Sequence, residues 1–326
     1  MAHAPRLLPL LGATLLLAGC LPYDEQEIRF RIDAARDRID LLLVDRGLYH
    51  DQGGWFGGGP ESAGKDLDRI AKGERFVSLF NGFLPLAIDD LEPPKNEFEA
   101  RLASRLRETV AVEHGRFFRD AEGRLCWWQC VRVSNLSGFL DLANDGIRSA
   151  LAEEETLAEF RKTLRLEDEE SGALLRRALE GKVPFLLRRG GALAFRFPAS
   201  REGCRSLLSR LIEEIREGVL DDARMHAEAG EGSKEEAASQ PLRRKPTGFE
   251  WAARLVLGIE ASVLRSGDGV ELVLGNPEKG EQTIALPREG EYEENLAPLL
   301  EERKLAIRSD VTEATIRAAF EAFCAR

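Results

Sequence analysis

Apolar and polar positions alternate with period two in the first long segment of the chain. Ile28, Phe30 and Ile32 fall on one face of an extended strand, and Arg29 and Arg31 fall on the other. The run AARDR (34–38) turns the chain into IDLLLV (39–44), which predicts a hairpin or a pair of adjacent strands. A second hairpin is expected from TVAVEHGRFFRD (109–120) and RLCWWQCVRVSN (124–135). A third is expected from PFLLRRGGALAFRFP (184–198), turned at Gly190-Gly191. Strands follow at about 252–265, 269–275 and 282–286, with SGDG (266–269) as a hairpin turn.

The period changes to three and four between these hairpins, which predicts helices at about 61–80, 95–108, 137–166 with a break, 170–180, 291–303 and 310–323. Asp310 and Glu313 look like the opening of a capping box for the last of these. The longest apolar stripe is Cys204, Leu207, Leu208, Leu211, Ile212, Ile215 and Val219, with Glu213, Glu214 and Glu217 facing away. It reads as a helix starting near Arg201 that packs on a sheet. Hairpin-then-helix recurs along the chain without sequence similarity between the copies. The expected fold class is α+β: an antiparallel sheet built from successive hairpins, with helices packed on one side.

The amino terminus follows another rule. Leu7 to Ala18 is apolar apart from Pro9, Gly12 and Thr14, and Arg6 supplies one positive charge before it. About 12 residues at about 1.5 Å each fall short of the roughly 30 Å of hydrocarbon in a bilayer. The segment has the length of a secretory signal core, with small residues where a peptidase would cut. Leu17-Ala18-Gly19-Cys20 resembles the bacterial lipoprotein signal. The resemblance covers residues 1–20 and implies that the leader 1–19 is removed and that Cys20 is acylated. In that family an aspartate after the cysteine retains the protein at the inner membrane. Leu21 at this position implies the outer membrane, facing the periplasm. Two or three acyl chains hold stably where one does not, at about 0.8 kcal/mol per buried CH₂. Strand-like sequence begins near Glu25, so the folded body sits against the bilayer.

The remaining 307 residues divide by composition into an α+β portion at 20–228, a polar stretch at 229–248 and an α+β portion at 249–326. The last packs with the first as one domain or stands alone. AGEGSKEEAASQPLRRKPTG (229–248) has few apolar residues, which predicts a mobile linker or loop. The net charge of −11 becomes −12 without the leader, which argues against nucleic acid as a partner. The 46 basic residues comprise 37 Arg and 9 Lys spread along the chain, which reads as codon bias and assigns no individual Arg a role. Cys126, Cys130, Cys204 and Cys324 allow three pairings in an oxidising compartment. Cys126 and Cys130, about 13 Å apart along one strand, cannot bridge each other. They read as small buried hydrophobes sharing a face with Trp128.

Catalytic motifs fail one by one. GPESAGKD (59–66) matches a phosphate-binding loop until Asp66 stands where Ser or Thr holds magnesium. Ser62-Ala-Gly-Lys65 has the S-x-x-K spacing of serine acyltransferring enzymes, but its K-T-G partner is missing. His50, His114 and His226 form no metal motif, so neither metal nor cofactor is expected. His50-Asp51 is the best acid–base pair, read as exposed loop residues. Asp89-Asp90 and Asp66/Asp68 read as solvated carboxylates more simply than as cation ligands. Trp55 and Phe56 stand in a loop with five flanking glycines, and glycine cannot pack a core around them. They are the candidate interaction site for a bilayer interface or an envelope protein partner, unless both rings fold back onto the hairpin. These features favour a non-enzymatic, membrane-anchored envelope lipoprotein, structural or partner-binding. The alternative is a periplasmic hydrolase whose site is assembled from residues distant in sequence. Limited proteolysis is expected to nick the chain first at Lys234 or Arg243–Lys245; early cleavage elsewhere with this stretch protected would contradict the linker reading.

Overall fold

β1 (Tyr23–Asp33) and β2 (Arg38–Leu48) form the expected hairpin around the turn 34–37, in continuous antiparallel register from Tyr23↔Leu48 to Asp33↔Arg38. In the computed structural model, residues 23–50, 60–79, 84–91, 93–164, 166, 168–200, 261–286 and 295–326 are described. The stripe 204–219, the stretch 229–248 and the strand expected at 252–260 lie outside them.

The elements that follow are α1 (Pro60–Lys72), β3 (Phe76–Leu79), β4 (Leu84–Ala87), α2 (Glu97–Thr109), β5 (Val110–His114), β6 (Phe117–Arg119) and β7 (Leu125–Ser134). Next come α3 (Leu136–Leu151), α4 (Glu154–Leu164), α5 (Glu169–Leu179), β8 (Leu186–Arg189), β9 (Ala192–Phe197), β10 (Ala261–Ser266) and β11 (Gly269–Leu274). The chain closes with β12 (Gln282–Leu286), α6 (Ala297–Glu302), β13 (Ile307–Arg308) and α7 (Glu313–Ala325). The large sheet has the order β12-β1-β2-β7-β6-β13, with β5 also on β7; a second sheet runs β10-β11-β9-β8. The fold is α+β. Among the described residues every strand pairing is antiparallel except the short β13–β6 contact, which is parallel.

β2 dictates the layering. Leu42, Leu43 and Val44 are consecutive and all at most 1% exposed, so both faces of the strand are covered. On one face Ile28, Phe30, Ile32, Leu43 and Val131 pack with Leu106 of α2, Leu136 of α3 and Val77 of β3. On the other, Leu42, Val44, Phe118, Cys126 and Cys130 pack with Ile316, Phe320, Phe323 and Cys324 of α7. A helix therefore lies on each side of the sheet. The alternation that set Arg29 and Arg31 apart as the polar face concealed this, because both reach α7 instead of solvent. Arg31 binds Glu321 and Glu281 at 2.9 Å and lies over the Phe320 ring. Arg46 binds Glu313 at 2.7 Å.

Helix boundaries differ from expectation where capping decides them. The helix expected to reach residue 80 stops at Lys72 because Gly73 turns left-handed at φ 70°, and Phe76-Val77 continue as a strand. α7 opens with a capping box between Thr312 and Thr315, not with Asp310 and Glu313. β5 and β6 both pair β7 on either side of Gly115, whose missing Cβ would stand 2.2 Å from the Trp128 ring. None of the described helices is long and apolar enough to cross a membrane.

The second sheet is tied to α3 by one buried side chain. Asn144 Oδ1 accepts the N–H groups of Phe185 (2.7 Å) and Leu186 (2.8 Å), and its Nδ2 donates to the carbonyls of Leu186 and Leu140, both at 2.8 Å. Asn144→Ala would strand two N–H groups in a 3%-exposed site. Orphaned buried groups cost about 1–3 kcal/mol each, so urea unfolding is expected to show a loss of about 3 kcal/mol; a change within about 0.5 kcal/mol would mean that water takes over these bonds.

Candidate functional site

Four polar side chains sit together, fully buried, on the face of the large sheet that β3 covers. They are Gln26, Asp45, Ser78 and Gln129, each 0% exposed. Strand register brings the first two side by side, Gln26 opposite Asp45, and places Gln129 opposite Leu43 on β2. Gln26 Nε2 donates to Asp45 Oδ1 at 2.6 Å and to the Ser78 carbonyl at 3.0 Å. Oriented to suit its neighbours, the Gln129 amide donates to the Phe76 carbonyl at 3.0 Å and accepts the Ser78 N–H at 3.3 Å. β3 forms no ladder with the large sheet. Its backbone polar groups are satisfied instead by glutamine side chains reaching up from below, which meets the requirement that buried peptide groups be paired.

This polar cluster divides the apolar layer. On one side lie Ile28, Leu43 and Val77. On the other, Tyr23, Leu48, Phe76, Phe117 and Trp127 pack with Ala63, Leu67 and Ile70 of α1 and Leu296 and Leu300 beside α6. The Trp127 ring stacks on Phe76 and Phe117, with His114 tilted against it at 5.6 Å. Burial shifts two carboxyls here in the same direction. It pushes Asp45 up to about 8, against a smaller opposing effect of the Gln26 bond. It pushes Asp66 up to about 6, with Arg69 opposing at 2.9 Å. Asp45 therefore holds its proton at neutral pH. Asp45 Oδ2 and Ser78 Oγ find no partner among the described residues.

The positions singled out from the sequence are not gathered here. Cys20, Trp55 and Phe56 lie outside the described residues, as do Asp51, Cys204 and His226. His50, expected to be an exposed loop residue, is buried: its backbone exchanges hydrogen bonds with the Asn295 side chain at 2.7 and 2.9 Å. It lies two residues beyond the end of β2, where Asn295, just before α6, meets it. His114 bonds the Glu74 carbonyl through Nε2 at 2.6 Å, and burial lowers its pKa. Lys65 turns to Glu61 at 3.3 Å. Of the aspartates read as solvated, Asp66 is buried, whereas Asp68, Asp89 and Asp90 are solvent-accessible as expected and pair with Arg303, Arg75 and Arg69, each at 2.8 Å. Cys126, Cys130 and Cys324 are buried free thiols. Cys126 and Cys130 share the face of β7 that carries Trp128, as the alternation predicts. No group of His, Cys, Asp or Glu among the described residues is placed to hold a metal ion. Comparison of the chain with protein-family models, curated proteins and solved structures found no match.

The polar cluster was missed because Gln26, Asp45 and Gln129 each take one place on a face that Ile28, Leu43 and Val131 make apolar, and their shared partner β3 is distant in sequence. A polar residue inside the apolar run of β2 was the available signal. Its chemistry is that of a lock: the side chains are sealed from solvent, so they hold β3 in register and do not meet a substrate. Asp45 makes the lock sensitive to pH. Its unfolded pKa is near 4 and its folded pKa is about 8, so the folded chain binds the extra proton between these values. Stability is full below about pH 4 as far as this group is concerned, and falls as pH rises towards 8. Asp45→Asn is expected to flatten that slope and, relative to wild type, to gain on the order of 5 kcal/mol between pH 4 and pH 9. Parallel pH profiles of the two chains in urea would show this, and identical slopes would rule out a protonated Asp45.

Proposed function

We propose that the protein is a lipid-anchored, non-enzymatic component of a bacterial envelope, held at the outer membrane through Cys20 and presenting its Gly-rich loop to that surface. The observation that carries the reading is the register Tyr23↔Leu48. Tyr23 opens β1 three residues after Cys20, and Leu48 ends β2 three residues before Asp51. The chain positions leading to the acylated cysteine and to Trp55-Phe56 thus leave the sheet from the same end of neighbouring strands. Only Leu21 and Pro22 separate Cys20 from the fold, roughly 10 Å at full extension. That is shorter than the tether expected from a first strand near Glu25, and it brings this end of the sheet down to the headgroups.

Further support comes from the groups a catalytic reading would need. Lys65, Asp68, Asp89 and Asp90 are occupied by ion pairs. Burial pushes the Cys126 and Cys130 thiols up to about 12, away from nucleophilic thiolate. The partners of the protein are then the membrane and, at the aromatic loop, either lipid or an envelope protein.

Cys20→Ala is expected to block acylation and to leave the leader uncut, which fatty-acid labelling and the mass of the chain would show. Unmodified, soluble mature protein in wild-type cells would overturn the reading. Replacing Trp55 and Phe56 together by Ser is expected to leave stability within about 0.5 kcal/mol. Flotation of the non-acylated mature chain with phospholipid vesicles should weaken at the same time. A loss of about 3–5 kcal/mol per ring instead would show that both are core residues.

A further inference from the structure

Cys130 of β7 and Cys324 of α7 are buried in one cluster where the helix meets the sheet, and we propose that they form an intramolecular disulfide when the chain folds in an oxidising environment. The setting rests on the envelope reading; the pairing rests on how α7 lies on the sheet. At the helix start, Glu313 binds Arg46, which stands opposite Cys126 in the β2–β7 register. At the helix end, Arg132, two residues beyond Cys130, donates to the Phe323 carbonyl at 2.6 Å. Arg326 binds Glu113 at 2.7 Å, and Glu113 stands directly opposite Cys130 in the β5–β7 register. α7 therefore runs along β7 with its first turn by Cys126 and its last by Cys130. The lengths agree: Glu313 to Cys324 spans about 17 Å of helix, and Cys126 to Arg132 spans about 20 Å of strand.

Cys324 and Cys130 belong to one apolar cluster with Ile316, Phe320 and Phe323, and are 7% and 1% exposed. Cys126 belongs to the same cluster but at the far end of the helix, and its thiol donates to the Arg124 carbonyl at 3.3 Å. The pairing is thus 130 with 324. Burial pushes the docked thiols up to about 12 for Cys130 and about 11 for Cys324, so neither attacks as thiolate once α7 is seated. The bond forms during folding. One thiolate attacks a disulfide-carrying oxidant to give a mixed disulfide, and the second displaces the oxidant. One S–S bond is made, and the two thiol protons and two electrons pass to the oxidant, whose own S–S bond is broken to a pair of thiols. The cross-link closes a loop of roughly 190 residues and ties the carboxyl terminus to the centre of the sheet, where restricting the unfolded chain has a large effect.

The test uses the mature chain, reduced and unfolded, then refolded in a mixture of glutathione and glutathione disulfide, denatured, alkylated and mapped by peptide mass. The expected result is a linked pair of peptides carrying Cys130 and Cys324, with Cys126 alkylated. The thermal midpoint should fall by several degrees when the wild-type chain is reduced and should not respond to reductant in Cys130→Ser. Alkylation of both residues in the refolded chain, or a link to Cys126 or Cys204 instead, overturns the pairing without any need for the variant to fold. The same map on protein taken from cell membranes separates the two claims: a link in the refolded chain that is missing in cells upholds the pairing and counts against the oxidising setting.

Discussion

Burying both faces of β2 is the constraint from which the rest of the architecture follows. Three consecutive side chains, Leu42, Leu43 and Val44, have no route to solvent, so a layer is required above and below. One layer is assembled from α1, α2, α3 and the β3–β4 hairpin, the other from α7. The same strand carries Asp40 and Asp45, one towards each layer. Asp40 answers the difficulty of a buried charge with Arg132 at 2.6 Å and Arg38 at 3.2 Å. Asp45 answers it by keeping a proton. Two aspartates five residues apart thus solve one problem by opposite means.

Those guanidinium groups give the arginine-rich composition a meaning that counts alone do not show. Arg36, Arg38 and Arg132 donate to the last carbonyls of α7, where the helix leaves acceptors unsatisfied and where positive charge is favoured. Arg132 also lies over the Phe323 ring at 4.5 Å. In the second sheet Arg189 and Arg196 share Glu271, which their hydrogen bonds, Arg189 first, hold down at about 2. A planar fork with several donors can serve a carboxylate, a carbonyl and a ring at once, which lysine cannot. Whatever its origin in codons, the unequal use of the two residues is something the chemistry depends on at these positions.

Much of the fold was legible because local rules and tertiary packing agree in it. The β1–β2, β8–β9 and β10–β11 hairpins lie where alternation and turn residues place them. The break in the helical stretch after Leu151 is real. What could not be read is what depends on distant partners. Gln26 and Gln129 fall on the apolar face with Ile28 and Val131, and nothing local says that the backbone of β3 lies above to take their hydrogen bonds. His50 looks like a loop residue until Asn295 closes on it, 245 positions away. Arg29 and Arg31 look solvated until α7 covers them. The candidate interaction loop was legible only as composition, glycines around two aromatics, and its connection to the anchor needed the strand register.

That α7 follows every strand it covers has a consequence for folding. Until residues 313–325 are seated, Leu42, Val44, Phe118 and Cys130 have no cover on their side of the sheet. The molecule is then an open half-sandwich, with one apolar face of β2 and β7 bare. Its core is completed by the last of the described elements to be made, an order set by the succession of elements alone.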